Sequence, residues 1–320
     1  MKKPLAILLM GPTAAGKTEL AMRLFDQLPC DLISVDSVLV YRGMDIGSAK
    51  PDKATLQRYP HQLINIRDPA ESYSVAEFRD DALRAIAASH AARRLPLLVG
   101  GTSMYYKALC QGIGAMPGAD PVIRQRLETE AVELGWPALH VRLRALDPLA
   151  AEKIHPSNRQ RIQRALEVIE LSGRPLSSFW MEHTGGERGV LDWDRPASDS
   201  LPFRPLALAV NPGERKLLHQ RIASRFTAML AEGLVDEVRA LQTRGDLSPA
   251  LPSIRAVGYR QVWEYLVGER QLRGNDRQRH GGHPATGATT ADMVAQLAGS
   301  AVGFGWDRCS ERHPGNTGTP

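Results

Sequence analysis

Cysteine is scarce in this chain of 320 residues: Cys30, Cys110 and Cys309 are its three cysteines, and none forms a C-x-x-C pair. That excludes a disulfide-built scaffold and a structural zinc site on paired cysteines. Long apolar runs are missing as well. No stretch approaches the roughly 20 apolar residues of a membrane span, so no membrane association is expected. The basic start at Lys2 and Lys3 leads into an apolar run, Leu5–Met10, that is too short for a signal peptide. Aromatic residues make up only 6 %, and no internal repeat is present. Neither sign of charge dominates: 40 Lys+Arg against 35 Asp+Glu leave a net +5. That excess permits a polyanionic partner without demanding one. What remains is an ordinary globular composition, 43 % apolar and 23 % charged, long enough for two domains or one large α/β domain with an insertion. A soluble, cytoplasmic protein is expected.

The first third alternates strand and helix signals. Leu5–Met10 is a short continuous apolar run, the pattern of a strand buried on both faces; Leu32–Val35, apolar but for Ser34, and Leu97–Val99 read as further strands. Between them, Lys17–Leu28 carries helix formers with apolar Leu20, Ala21, Leu24 and Leu28. Ser74 and Glu77 form a capping box at the head of an amphipathic helix ending near Arg94. Strands alternating with helices predict a parallel, doubly wound sheet. From Met116 to about Asp199 the pattern changes to helices alone: Pro121–Leu134, Pro148–Ile154 and Gln160–Leu171. Residues 185–202, rich in Gly, Pro, Asp and Ser, read as a loop. Leu206–Val210 restores a strand, and Arg215–Arg244 is a helical pattern broken at Gly233. The expected division is a core in 1–116, a helical insertion in 117–199 and a return to the core in 200–273.

Gly11-Pro12-Thr13-Ala14-Ala15-Gly16-Lys17-Thr18 matches G-x-x-x-x-G-K-[ST] in full. Glycines let backbone N–H groups turn inward around phosphates, Lys17 supplies a point charge, and Thr18 offers a hydroxyl to magnesium. The motif follows a strand and opens a helix, which is the context it requires. The fold class is therefore α/β, a P-loop NTPase-like parallel core with an inserted all-helical domain, and the ligand is a diphosphate or triphosphate. Asp36, at the carboxyl end of a strand, is open to three roles: general base, magnesium ligand through water, or plain turn cap. Gly100-Gly101-Thr102 also ends a strand; it either lines the site through Thr102 or makes a tight turn ahead of core tyrosines Tyr105 and Tyr106. Basic residues cluster in 159–164, 215–225 and 255–260. Such faces suit phosphodiester contacts, although most charge runs are solvated surface. Arg221 and Arg225, four apart on a helix after a core strand, could instead reach a bound pyrophosphate.

The runs GPTAAGKTELA, SVDSVLVYRGMDIGSAKP, LLVGGTSMYYKAL, IHPSNRQRIQRALEVIELSG, RKLLHQRIASRFTAMLAEGLVDEV and LPSIRAVGYRQVWEYLVGE closely resemble the bacterial tRNA dimethylallyltransferases, nearly unbroken from Leu5 to about Glu269. The resemblance implies transfer of a dimethylallyl group from dimethylallyl diphosphate to the exocyclic N6 of the adenine 3′ of the anticodon. The tRNAs implied read codons beginning with U. By resemblance the phosphate loop and Arg225 hold the diphosphate with magnesium at Thr18. Asp36 is the implied general base, with Lys17 and Thr102 completing the catalytic set. Asp36, Ser37, Val38, Leu39, Thr102, Arg124, Gln160, Arg161, Ile162, Gln163, Arg164, Arg255, Ala256, Val257, Gly258, Tyr259 and Arg260 fall on positions implied to contact tRNA. A monomer is expected. The rivals are a small-molecule kinase with the same loop and a phosphate-loop protein that only binds RNA.

The resemblance stops at Arg273. There the family continues with a helix close to ATRQLAKRQLTWLR, whereas this chain turns to Gly, Thr and His. Deleting one base from the Gly274 codon in a suitable back-translation yields ATRQLAQRQLTWLR. Residues 274–320 are therefore expected to be a frameshift-like, poorly ordered tail, and His280, His283 and His313 carry no metal site.

Overall fold

The computed structural model describes residues 3–113, 116–184, 201–211 and 213–276, with 183–184, 215 and 269–276 described in their backbone alone. They form two compact units, one from the described residues of Met1–Cys110 and Asp199–Pro320, the other from those of Gln111–Ser198.

The first unit begins β1 (Leu5–Met10), α1 (Lys17–Gln27), β2 (Cys30–Val35), α2 (Lys53–Arg58), β3 (His61–Gln62), α3 (Val75–Ala91), β4 (Leu95–Gly100) and α4 (Ser103–Gln111). The continuous apolar runs become the centre of a five-stranded parallel sheet in the order β3-β2-β4-β1-β5. Leu8, Leu9, Leu32, Ile33 and Leu98 are fully buried, as strands with helices on both faces must be. Ala21 and Leu24 of α1 pack on Ile7, Leu9, Leu32, Leu97 and Val99. Tyr106 of α4 is buried and donates its hydroxyl to the carbonyls of Leu9 and Leu98. The capping box forms at α3: Ser74 Oγ accepts from Glu77 N, and the Glu77 carboxylate accepts from Ser74 N.

The second unit is helical: α5 (Pro121–Leu134), α6 (Trp136–Leu146), α7 (Pro148–Lys153), α8 (Arg159–Ser172) and α9 (Leu176–Thr184). Its core joins Leu127, Leu139, Leu143, Ile162, Leu166 and Phe179. Helices α6 and α9 were not expected from the sequence. Residues 185–200, most of the expected loop, lie outside the described residues.

The first unit then resumes with β5 (Arg204–Ala209), α10 (Arg215–Ala231), α11 (Leu234–Thr243) and α12 (Tyr259–Asp276). The break at Gly233 is real, with φ +103° between α10 and α11. Strand β5 pairs with β1 over six residues, yet Leu206 and Leu208 stay 41 % and 39 % exposed, so it is an edge strand rather than a buried one. Helix α12 runs through Gly274, Asn275 and Asp276, three residues into the expected tail; 277–320 lie outside the described residues.

Candidate active site at the carboxyl edge of the sheet

Four strand ends share one level. Val35 pairs with Gly100, Gly100 with Met10, and Met10 with Ala209. Because the strands are parallel, Asp36, Gly101-Thr102, the phosphate loop and Asn211 all leave the same edge, where such sheets bind ligands. The loop turns with left-handed residues at Ala14 (φ 64°) and Gly16 (φ 90°). At Gly11 a Cβ would come within 2.6 Å of the Val210 carbonyl, so this close approach requires glycine. Gly16 caps α1 with no side-chain hydrogen bond, leaving the helix's first N–H groups and positive dipole end open to an anion.

Lys17 lies over the loop, its ammonium 2.6 Å from the Pro12 carbonyl. Burial lowers its pKa to about 8; Asp36 opposes the shift, and the neighbouring Arg225 cation adds to it. Burial also lowers Arg225, again against Asp36. Two partly buried cations therefore share one nearby carboxylate, and among the described residues neither forms an ion pair with it. The net positive charge suits a diphosphate.

Asp36 Oδ1 accepts the backbone N–H of Val38 at 2.8 Å and of Leu39 at 3.3 Å. The turn-cap role is thus realised by one oxygen, while the other has no hydrogen-bond partner among the described residues. A capped turn fixes the carboxylate and leaves an oxygen for chemistry, so the two roles are compatible. Thr102 donates its N–H to Val35 and accepts from Tyr105 and Tyr106. Gly101 sits beside the phosphate loop, where a Cβ would lie 3.3 Å from the Gly11 carbonyl and 3.9 Å from Lys17 Nζ. The tyrosines behind it are core: Tyr106 is buried, and Tyr105 stacks on Phe78 with centroids 4.0 Å apart.

Thr18, at the start of α1, is exposed. Among the described residues no three His, Cys, Asp or Glu side chains gather as a metal cage. The lone hydroxyl fits a magnesium ion that takes its other ligands from phosphate oxygens and water.

The residues expected to meet RNA separate into free and committed groups. Gln160 and Arg161 on α8 are exposed. Ile162 is not available, because it is fully buried in the helical unit's core. Arg124 makes a bidentate pair with Glu167, and Arg164 bonds Glu167 and the carbonyls of Pro117 and Gly118. Gln163 donates to the Arg124 carbonyl and to Glu128. In the first unit Arg255, Val257 and Arg260 are exposed, whereas Tyr259 is fully buried with its hydroxyl on Glu237. Its side chain is therefore a core element and not a nucleic-acid contact. Glu237 itself was missed by sequence reasoning; its partners are mostly backbone N–H groups, which no residue spacing betrays.

Fold and site together define a phosphate-loop transferase: a parallel α/β core with a cationic cradle and an adjacent carboxylate. The IPP transferase family model matches residues 39–280. The tRNA dimethylallyltransferase 2 of Hahella chejuensis (strain KCTC 2396) is 64 % identical over 266 residues, 83 % of this chain and 80 % of that protein. The full-length tRNA isopentenylpyrophosphate transferase of Bacillus halodurans superposes with a TM-score of 0.57 at 34 % identity, covering 94 % of this chain and 83 % of that one. A eukaryotic dimethylallyltransferase acting on tRNA shares the fold, with a TM-score of 0.65 at 21 % identity over 93 % of this chain and 67 % of that one. The chain belongs to the IPP transferase family.

Proposed function

We propose that this chain transfers a prenyl group to tRNA, with dimethylallyl diphosphate as donor and the N6 amine of the adenine 3′ of the anticodon as acceptor. The acceptors are tRNAs reading codons that begin with U. The observation that carries this is the pair of partly buried cations, Lys17 and Arg225, set beside a carboxylate with one uncommitted oxygen. The open amides of the phosphate loop and the two cations bind the diphosphate. They neutralise the charge that develops as the allylic C–O bond breaks and pyrophosphate leaves. Magnesium at Thr18 adds charge neutralisation on the phosphates when bound. Asp36 accepts the proton from the adenine amine as the new N–C bond forms; that amine is a poor nucleophile and needs a base. The adenine must leave the anticodon-loop stack to reach this edge, which is base flipping. We assign Thr102 to the lining of the same edge, and the helical unit, through Gln160 and Arg161, to the anticodon arm. Single-stranded loops are the part of RNA that proteins read by sequence. On this reading the protein acts in the cytoplasm, where its tRNA substrates are, as a monomer. Among the described residues no helix is long and apolar enough to cross a membrane.

The test is incubation of the full chain with undermodified tRNA, labelled dimethylallyl diphosphate and magnesium, followed by nucleoside analysis. Isopentenyladenosine is the expected product. Absence of label in the RNA, together with ATP turnover on a small molecule, overturns this reading in favour of a kinase.

A further inference from the structure

The stretch 36–50, the first 15 residues of the connection from β2 to α2, carries Asp36 at its near end and has no helix of its own. Its near half is fastened to the 65–67 segment: Ile66 and Arg67 donate to the Val40 carbonyl, and Arg42 donates to the Arg67 carbonyl. Its far half is fastened twice: Lys50 donates to Asn65 Oδ1 and the Tyr41 carbonyl, and one side chain from nearly 200 residues away holds 45–47. Glu237, in the first turn of α11, accepts the N–H of Asp45 at 2.9 Å and of Ile46 at 2.8 Å on Oε2. On Oε1 it accepts the N–H of Gly47 at 3.1 Å and the hydroxyl of Tyr259 at 2.6 Å. Three consecutive amides converging on one anion form the concavity that backbone nests offer to phosphates; here the protein fills it with its own carboxylate.

The same node reaches the other side of the site. At Gly47 a Cβ would lie 2.6 Å from Leu234 and 2.7 Å from the Tyr259 ring, so glycine alone lets the connection close on α11 and that ring. Gly258, with φ +95°, places its Cβ position 3.9 Å from both the Gly47 carbonyl and the Phe226 ring. Phe226 is buried and directly follows Arg225 on α10. One carboxylate thus ties the connection bearing Asp36 to the start of α12 at Tyr259, next to the Gly258 turn that faces Phe226.

We infer that Glu237 is a positioning residue that fixes Asp36 relative to Lys17 and Arg225, an inference that rests on the transferase reading for its kinetic consequence. It touches no reacting atom. Its effect falls on the alignment of base, acceptor and leaving group, and a misplacement near 1 Å costs about 10²-fold in rate. Glutamine at this position accepts on one atom but presents an amide donor to donors on the other.

The experiment compares Glu237→Gln with Asp236→Asn, its exposed neighbour in the same helical turn, which loses the same charge near the helix terminus. Expected for Glu237→Gln are a kcat lowered about 10–100-fold, a donor KM changed less than about threefold, and faster amide exchange across 36–50. Asp236→Asn stays at wild-type values. Tyr259→Phe, which keeps the ring and removes one of four donors, is expected to lower kcat about 2–5-fold and decides the matter should Glu237→Gln fail to fold. A kcat within twofold of wild type in the folded Glu237→Gln, or in its place an unchanged kcat in Tyr259→Phe, overturns the inference. So does faster exchange confined to 45–47 with 36–44 still protected. If the wild type transfers no prenyl group, the function is wrong, and the exchange pattern of 36–44 alone then decides the role of Glu237.

Discussion

The carboxyl edge of the sheet and the α5, α6 and α8 helices of the helical unit both gather charged side chains, and the two are balanced differently. In the helical unit the carboxylates of Glu130, Glu167 and Glu170 are each matched by arginine. Glu167, fully buried, takes both Arg124 and Arg164 as well as the Asp120 N–H. Glu130 and Glu170 take Arg142, and Glu170 also takes Arg126. Burial alone would raise the Glu167 pKa, but the hydrogen bonds from Arg124, Arg164 and the Asp120 amide hold it below its usual value. At the sheet edge, Lys17 and Arg225 outnumber Asp36, and Asp36 gives one oxygen to backbone amides. Matched charge builds the helical unit. Unmatched cation at the sheet edge is what a diphosphate can complete.

The comparison breaks most severely at Asp36. Asp36→Ala should lower kcat about 10²–10⁴-fold while tRNA affinity stays near wild type; wild-type turnover by steady-state assay refutes the base assignment. Next, the two sites should respond to charge removal with opposite signs. Glu167→Ala strands two guanidinium groups and a partly buried amide and should cost about 2–4 kcal/mol in urea unfolding, below the full range for buried pairs because both arginines remain partly exposed. Lys17→Met should instead raise the thermal midpoint of the free protein at neutral pH while weakening donor binding. Lys17 has a folded pKa of about 8 below an unfolded 10.5, so the unfolded chain holds more protons in that window. The cost of burying the ammonium is therefore present below about pH 8 and is relieved as pH rises toward 10.5. Donor affinity of the free enzyme should fall over the same rise, because the neutral amine no longer meets phosphate charge. A lower midpoint in Lys17→Met at pH 7 contradicts this. The smallest effect separates two arginines on one helix. Arg161→Ala should leave stability within about 0.5 kcal/mol and lower the log–log salt slope of tRNA binding by about 0.7–0.9. Arg164→Ala should destabilise by about 1–3 kcal/mol; a salt slope unchanged in Arg161→Ala makes that residue solvated surface.

The contrast also explains what was legible in the sequence. Largely apolar runs announce β1, β2 and β4 because both faces of the sheet are covered there, with Ser34 the buried polar exception in β2. Asp120 before Pro121, and Ser74 with Glu77, mark the starts of α5 and α3 through local capping chemistry. Helix α6 escaped because Trp136–Leu146 begins with Gly135 and Pro137 and then alternates apolar with basic residues, a strand-like period. The two-residue β3 has no period to read; only its pairing with Leu32 and Ile33 defines it. At the site, the phosphate loop and Asp36 were visible because their chemistry is local to a strand end. The division of Arg161 from Arg164 was not, since charge in a sequence does not say whether a partner is folded onto it. The i,i+3 spacing of Arg164 and Glu167 was the one available clue.

One pairing in the sheet bears on how the protein is made. β4 is complete at residue 100, but β5, which covers the outer edge of β1, ends only at residue 209. At about 5–20 residues per second, a ribosome needs roughly 5–20 s to span that gap. During that time the nascent chain presents the unpaired backbone of β1, a template for wrong strand partners. The helical unit, whose contacts are local, can fold while the edge waits. Slow decoding between codons 100 and 209 thus lengthens the exposure of the very strand that leads into the phosphate loop.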